Sequence, residues 1–228
     1  MSTMTAMSDA LNTLARFFAD GGVVMWPLLG MSIVSVTLSL ERTWFWSRTH
    51  SSHTARLLRS VFRRTREGDL SGAADLAESD RSVYGSFAAR LLADARANAE
   101  ASAIEAHGIE LIERSRPSIE RFSVTLSTIV TAAPMLGILG TVTGIIESFQ
   151  LLGQERGVTD PTLVAGGIAE ALYTTVFGLV VALTTLFPYV MFRSQADRAF
   201  GRMESLIGVI AQVRSAGTKP QTPPKADA

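Results

Sequence analysis

Two long apolar runs constrain this chain more than any other feature. They extend from about Phe122 to Leu152 and from about Leu163 to Phe192, with a short polar turn, Gly153 to Pro161, between them. As helix, each run of about 30 residues is roughly 45 Å long at 1.5 Å per residue. A bilayer core needs only about 20 residues, so both are expected to span a membrane, tilted or projecting into water. A third run, Gly21 to Leu40, carries no charge and ends at Glu41-Arg42. Trp26 near one end, and Trp44 and Trp46 beyond the other, fit the aromatic belts that anchor a span at both interfaces. A cleaved signal peptide fits this run poorly. It lacks a basic leader beyond Arg16, and Glu41-Arg42-Thr43 is not a small-residue cleavage site. Apolar residues form 47 % of the chain, which supports the membrane class.

Arginine sets the expected orientation. Arg48, Arg56, Arg59, Arg63, Arg64 and Arg66 crowd the segment after the first run, and Arg193, Arg198, Arg202 and Arg214 follow the last. The N-terminal segment has Arg16 and the turn has Arg156. Positive charge stays on the cytoplasmic side, so the N-terminus and the turn are expected in the periplasm. The expected organisation is all-α with three transmembrane helices. It comprises a periplasmic segment (1–20), a first span (21–46), a cytoplasmic helical region (47–120), a second span (121–152), a periplasmic turn (153–162), a third span (163–192), and a cytoplasmic helix with a disordered tail (193–228). Within residues 9–19, Leu11, Leu14, Phe17 and Phe18 suit a short interfacial helix.

In the cytoplasmic region Leu57, Leu58, Val61 and Phe62 make one helical face. Gly68-Asp69 reads as a helix stop followed by an N-cap, and Leu70 to Ala77 as a second small helix. Phe87, Leu91, Ala95, Ile104 and Leu111 predict one longer amphipathic helix from about Val83 to Arg114. It is expected to continue into the second span, with Pro117 near the join. Net charge is zero, which argues against a nucleic-acid partner. The chain has no cysteine, and His50, His53 and His107 lie in polar stretches, so no metal site is expected. No phosphate loop, nucleotide fingerprint or catalytic triad appears. Neither enzyme activity nor a cofactor is expected.

The informative chemistry lies in the last two runs. Ala133, Gly137, Gly140, Gly144 and Ser148 recur at three- or four-residue steps, making one small-residue face with Thr141 at its border. Such faces let helices approach closely in lipid, where no hydrophobic effect drives them together. Pro134 removes a backbone donor and is expected to kink its helix. In the third run Ala171, Thr175, Gly178, Ala182, Thr185 and Tyr189 form a second small and polar face, with Glu170 just before it. A carboxyl inside a span is costly unless it meets water or a partner, so Glu170 is a candidate for function. Glu147 lies nearer the outer end and is expected to reach the interface. The bland alternative is that the threonines bond to their own helix and do nothing more. Two such faces together with a glutamate favour a pore lining. Three spans cannot enclose a pore alone, so a homo-oligomeric ring is implied.

These residues resemble a known family. Ala133-Pro134-Met135-Leu136-Gly137-Ile138-Leu139-Gly140-Thr141-Val142-Thr143-Gly144 resembles the AP-LLG-LLGTV-G signature of ExbB and TolQ proteins. Gly167-Ile168-Ala169-Glu170-Ala171-Leu172, continuing through Thr175 to Gly178-Leu179, resembles their GI-EAL--TA-GL signature. Met25-Trp26-Pro27-Leu28-Leu29, Glu41-Arg42 and Glu67-Gly68-Asp69-Leu70 are also similar to ExbB-like chains. The resemblance implies a subunit of a proton-driven motor in the bacterial inner membrane. Five copies would surround an ExbD/TolR-like single-span partner that supplies the proton-carrying aspartate, with a TonB-like periplasmic protein beyond. It implies that Thr141, Thr175 and Glu170 line the proton path. Where the family has a proline soon after its GL, this chain has Val180-Val181-Ala182-Leu183, and Pro188 comes later. Thr174-Thr175 followed by that proline is similar to flagellar stator MotA chains. A stator-like subunit is therefore the alternative within the motor class, and a passive membrane scaffold the alternative outside it.

Overall fold

A computed structural model describes residues 22–49, 52–154 and 161–218. The expected interfacial helix at 9–19, most of the turn and the tail beyond residue 218 lie outside the described residues. Among those described there are seven helices and no strand. They are α1 (Met25–Thr49), α2 (Ser52–Arg66), α3 (Leu70–Glu78), α4 (Val83–Arg96), α5 (Ala101–Ile119), α6 (Ser123–Gln154) and α7 (Pro161–Thr218). The chain divides into two compact units at Arg42/Thr43, Arg121/Phe122 and Met191/Phe192.

The first unit combines α1 as far as Arg42, α6, and α7 as far as Met191. Its core is small: Leu28 of α1, Ile129 and Ala133 of α6, and Val181 and Ala182 of α7. A buried hydroxyl pair, Ser35 with Thr185 at 2.6 Å, ties α1 to α7. The outside is as apolar as the inside. Met135 is 70 % exposed, Phe187 73 % and Ile33 60 %, and Ile138, Val142, Phe149, Leu179 and Leu183 also face outward. A water-soluble bundle does not expose contiguous aliphatic surface of this kind, whereas a bilayer requires it. Two helices, over Ser123–Gln150 and Val164–Ala216, are long and apolar enough to cross a membrane.

The second unit is built the opposite way. Trp44 and Ile109 are its only large exposed apolar side chains among the described residues. Leu57, Leu58 and Val61 are buried in α2, Ala73, Ala74 and Ala77 in α3, and Tyr84, Phe87, Leu91 and Leu92 in α4. The expected break at Gly68-Asp69 is present. Gly68 has φ +82°, and the Asp69 side chain accepts from the Gly72 N–H at 2.9 Å. On α7 the buried residues Phe192, Ala196, Ala199, Met203, Leu206 and Ile210 alternate in steps of four and three. That is the spacing of a helix seam packed along its whole length.

Two sequence expectations are corrected. The single helix from Val83 to Arg114 is two helices. Ala97 ends α4 and Asn98 turns the chain at φ +62°. The Ala99 N–H reaches back to the Asp94 carbonyl at 3.2 Å, closing the helix end. The chain then folds back, and His107 on α5 pairs with Asp94 on α4. Both halves bury one apolar face, so their periodicity continued through the turn and hid it. Nor does α5 run into the second long apolar helix. It stops at Ile119, and Phe122 sits at φ +67° before α6 begins at Ser123. Pro117 lies inside α5 and does not mark the join. At the other end, α7 is helical through Thr218.

Candidate functional site

The site begins with the contact between α6 and α7. Where two helices touch through small residues, their backbones come within reach of each other's side chains. A β-carbon on Gly178 would stand 2.5 Å from the Ala133 carbonyl oxygen and 3.2 Å from the Gly137 Cα. One on Gly137 would lie 3.0 Å from the Thr175 Cα. One on Gly140 would lie 2.7 Å from the Thr174 Cβ, and one on Gly144 2.7 Å from the Ala171 Cβ. Gly137, Gly140, Gly144 and Gly178 thus occupy a single seam; at Gly140, Gly144 and Gly178 an added methyl would displace its neighbour, and at Gly137 the neighbour would have to give by a few tenths of an ångström. Pro134 lies within α6, one residue after Ala133 of that seam, and α6 is helical on both sides of it.

The close approach brings hydroxyls onto the neighbouring helix. Thr175 donates to the Gly137 carbonyl at 2.8 Å, and Thr174 donates to the same oxygen at 3.3 Å and to its own Ala171 carbonyl at 2.7 Å. Thr174 is buried and Thr175 half-buried. Thr141, also half-buried, donates to the Ile138 carbonyl of its own helix at 2.7 Å.

Toward the ends of α6 and α7 that flank the polar turn, the seam opens into a cavity of about 420 Å³. Thr143, Glu147 and Ser148 line it from α6, and Glu170 and Thr174 from α7. Gly22, Val23 and Val24, in the turn that opens α1, close it. The half-buried Glu170 carboxyl stands against this turn, since a β-carbon on Gly22 would lie 3.8 Å from its Oε1. Ser148 donates to the Gly144 carbonyl at 2.8 Å, and Thr143 to the Leu139 and Gly140 carbonyls at 3.0 and 3.1 Å. The oxygens of these hydroxyls still have acceptor capacity toward the cavity. Two carboxyl groups and three hydroxyls therefore share one space large enough for several waters in a largely apolar unit. Such an arrangement can hold and pass protons.

A model of the MotA/TolQ/ExbB proton channel family matches residues 79–205. That stretch contains every residue of the seam and, apart from the α1 turn, of the cavity. The chain belongs to this family. It is similar to the ExbB-like 3 biopolymer transport protein of Synechocystis, at 34 % identity over 85 % of this chain and 91 % of that protein. The ExbB-like 1 protein of the same organism is 38 % identical over 75 % of this chain and 67 % of its own length. Biopolymer transport protein exbB1 of Vibrio cholerae is 29 % identical over 88 % of both chains. As a MotA/TolQ/ExbB protein, the chain is a membrane protein of the proton-channel class.

Of the three residues expected on the proton path of this ExbB-like chain, Glu170 lines the cavity. Thr175 lies next to it on the seam, and Thr141 borders α6 with its hydroxyl on its own helix. Thr143, Ser148 and Thr174 were not named for the path, and Glu147 was expected at the interface. The signal that could have found them was spacing: Thr174 is four residues after Glu170, and Ser148 four after Gly144, so each pair shares a helix face.

Proposed function

We propose that this protein is the ring-forming channel subunit of a proton-driven motor that energises periplasmic or outer-membrane transport. One observation carries the reading. Glu170 sits on a membrane helix and faces a hydroxyl-lined cavity instead of lipid. A carboxyl within a membrane helix is costly in hydrocarbon unless it meets water or a partner, so a polar enclosure around it supports an ion pathway. In this reading three helices span the bacterial inner membrane: α1, whose apolar run begins at Gly21, then α6 and α7. The N-terminus and the α6–α7 turn face the periplasm, and the second unit faces the cytoplasm, as the arginine asymmetry requires.

A single copy exposes apolar surface on all sides of its membrane unit and encloses no passage of its own. Five copies would close a ring, with the polar border at Thr141 and Thr175 turned inward. The occupant of the ring would be an ExbD/TolR-like single-span protein whose aspartate receives protons by way of Glu170. Each proton descending the gradient releases about 2.3 kcal/mol per 100 mV. That energy would turn ring against partner and act on a TonB-like periplasmic protein. The test is native mass spectrometry of the full chain in mild detergent, alone and co-expressed with the single-span partner. A pentamer that retains the partner is expected. Monomer under both conditions contradicts the reading.

A further inference from the structure

We propose that the groove between α4 and α5 in the second unit binds a small phosphate-bearing anion. Val83, Ser86, Phe87 and Arg90 follow one another at i, i+3, i+4 and i+7, and so share one face of α4. Leu111, Arg114, Ser115 and Ser118 repeat the same spacing on α5. The chain reversal at Asn98 sets these two faces against each other, and Arg81, just before α4, completes the rim. The open groove has a volume of about 270 Å³, a little below the roughly 300 Å³ at which drug-sized ligand pockets begin, so it suits a small anion.

The floor is apolar, with Phe87 and Leu111 buried, and the rim is cationic. Arg81 and Arg90 form no ion pair among the described residues. Arg114 pairs with Glu110 on its own helix at 2.6 Å, and both side chains are more than half exposed. Such a pair is weak and readily exchanged. The other nearby acids of α5, Glu113 and Glu120, are held by Arg116 at 2.9 and 3.2 Å. Arg81, Arg90 and Arg114, from two helices and a loop, therefore line one concavity with a single loosely held carboxylate on α5, while the Asp80 carboxylate beside Arg81 accepts from the Ser82 N–H and hydroxyl at 3.0 and 2.6 Å. Ser86 and Ser115 donate to carbonyls of their own helices, so the positive charge is left to the guanidiniums.

Guanidinium is planar, always charged and suited to bidentate contact with phosphate oxygens. The apolar floor suits the organic part of an ester. Two sources share this chemistry: a soluble phosphate ester, and the headgroup of an anionic phospholipid. Chain position is compatible with the second, because Ser118 precedes the first residue of α6 by five positions.

The test uses the purified full chain in detergent and in lipid nanodiscs. Inorganic phosphate and glycerol 3-phosphate are titrated in detergent, with binding read as a saturable rise in melting temperature. Nanodiscs of phosphatidylcholine, with and without phosphatidylglycerol, are compared by hydrogen exchange over residues 81–90 and 111–118. Arg81→Ala/Arg90→Ala is the test variant. Arg59→Ala, an exposed arginine of α2, is the control. The expected result is a dissociation constant at least tenfold weaker in the double variant and unchanged in the control. Binding of the soluble anions in detergent identifies a soluble ester as the source. Protection confined to phosphatidylglycerol nanodiscs and lost in the double variant identifies a headgroup. The proposal is overturned if no probe gives a saturable, Arg90-dependent response, or if the control weakens binding equally. It is also overturned if the double variant only changes the mass of the assembly, because the groove is then a contact between copies.

Discussion

Replacing Gly178 by alanine tests the α6–α7 seam at its closest backbone contact. The added methyl would lie 2.5 Å from the Ala133 carbonyl oxygen, where ordinary contact begins near 3.4 Å, and 3.2 Å from the Gly137 Cα. Both obstacles are backbone, so no rotamer change relieves them and the two helices must part by most of an ångström. Overpacking of this kind costs about 1–3 kcal/mol. Alanine returns about 0.5–1 kcal/mol of helix propensity over glycine. The net expectation is a loss of about 0–2.5 kcal/mol, against a gain at an unobstructed glycine. Gly166 and Gly201, also on α7, have open space where a β-carbon would go, with nothing within 4 Å, so Gly166→Ala and Gly201→Ala gain the propensity without the clash. Thermal or detergent-induced unfolding of the three variants, followed by tryptophan fluorescence, separates the terms. The reasoning is refuted if Gly178→Ala is as stable as the other two.

Two further predictions address each unit in turn. In the first, a double-mutant cycle of Ser35→Ala and Thr185→Val should give a coupling of about 0.6–1.7 kcal/mol for their hydroxyl pair. A coupling of zero in the same unfolding assay would mean that the two helices are held by packing alone. In the second, burial pushes the Tyr84 hydroxyl above its usual value, opposed by the Arg202 guanidinium, which stands 5.9 Å from its ring. The folded state thus holds that proton more tightly than the unfolded state. Stability from this source is complete below about pH 10 and is lost as pH rises through the folded value. Tyr84→Phe should flatten the melting temperature above about pH 10, and an unchanged alkaline slope would rule out Tyr84 as its source.

The legible parts of this fold are those written in local chemistry. Gly68-Asp69 announced a stop and a cap because glycine adopts a left-handed turn without steric cost and an aspartate side chain accepts from a free helix N-terminus. The small-residue steps of α6 and α7 announced a close approach. The α4–α5 reversal was not legible, since Asn98 carries the turn without glycine or proline and the apolar periodicity persists on both sides. The far half of α7 was read only as a helix. Its four-three seam follows directly on an apolar stretch that has no preferred face, and the two merge in any long window. At the site, Glu170 stood out because a carboxyl in an apolar run is rare. Thr174 did not stand out from Thr175, because adjacent threonines differ only in the direction each faces, and that depends on how α6 packs.

The central claim is that Glu170 passes protons through the membrane unit. Its most direct test is proton uptake into liposomes containing the proposed ring co-assembled with the proposed single-span partner, energised by an imposed membrane potential, for the native chain and for Glu170→Gln. Glutamine keeps the size and shape of the side chain but cannot carry the proton. With assembly verified by native mass, the account predicts a fall in uptake of at least tenfold. That fall is equivalent to about 1.4 kcal/mol on the limiting step. Full uptake by an intact Glu170→Gln ring would contradict it.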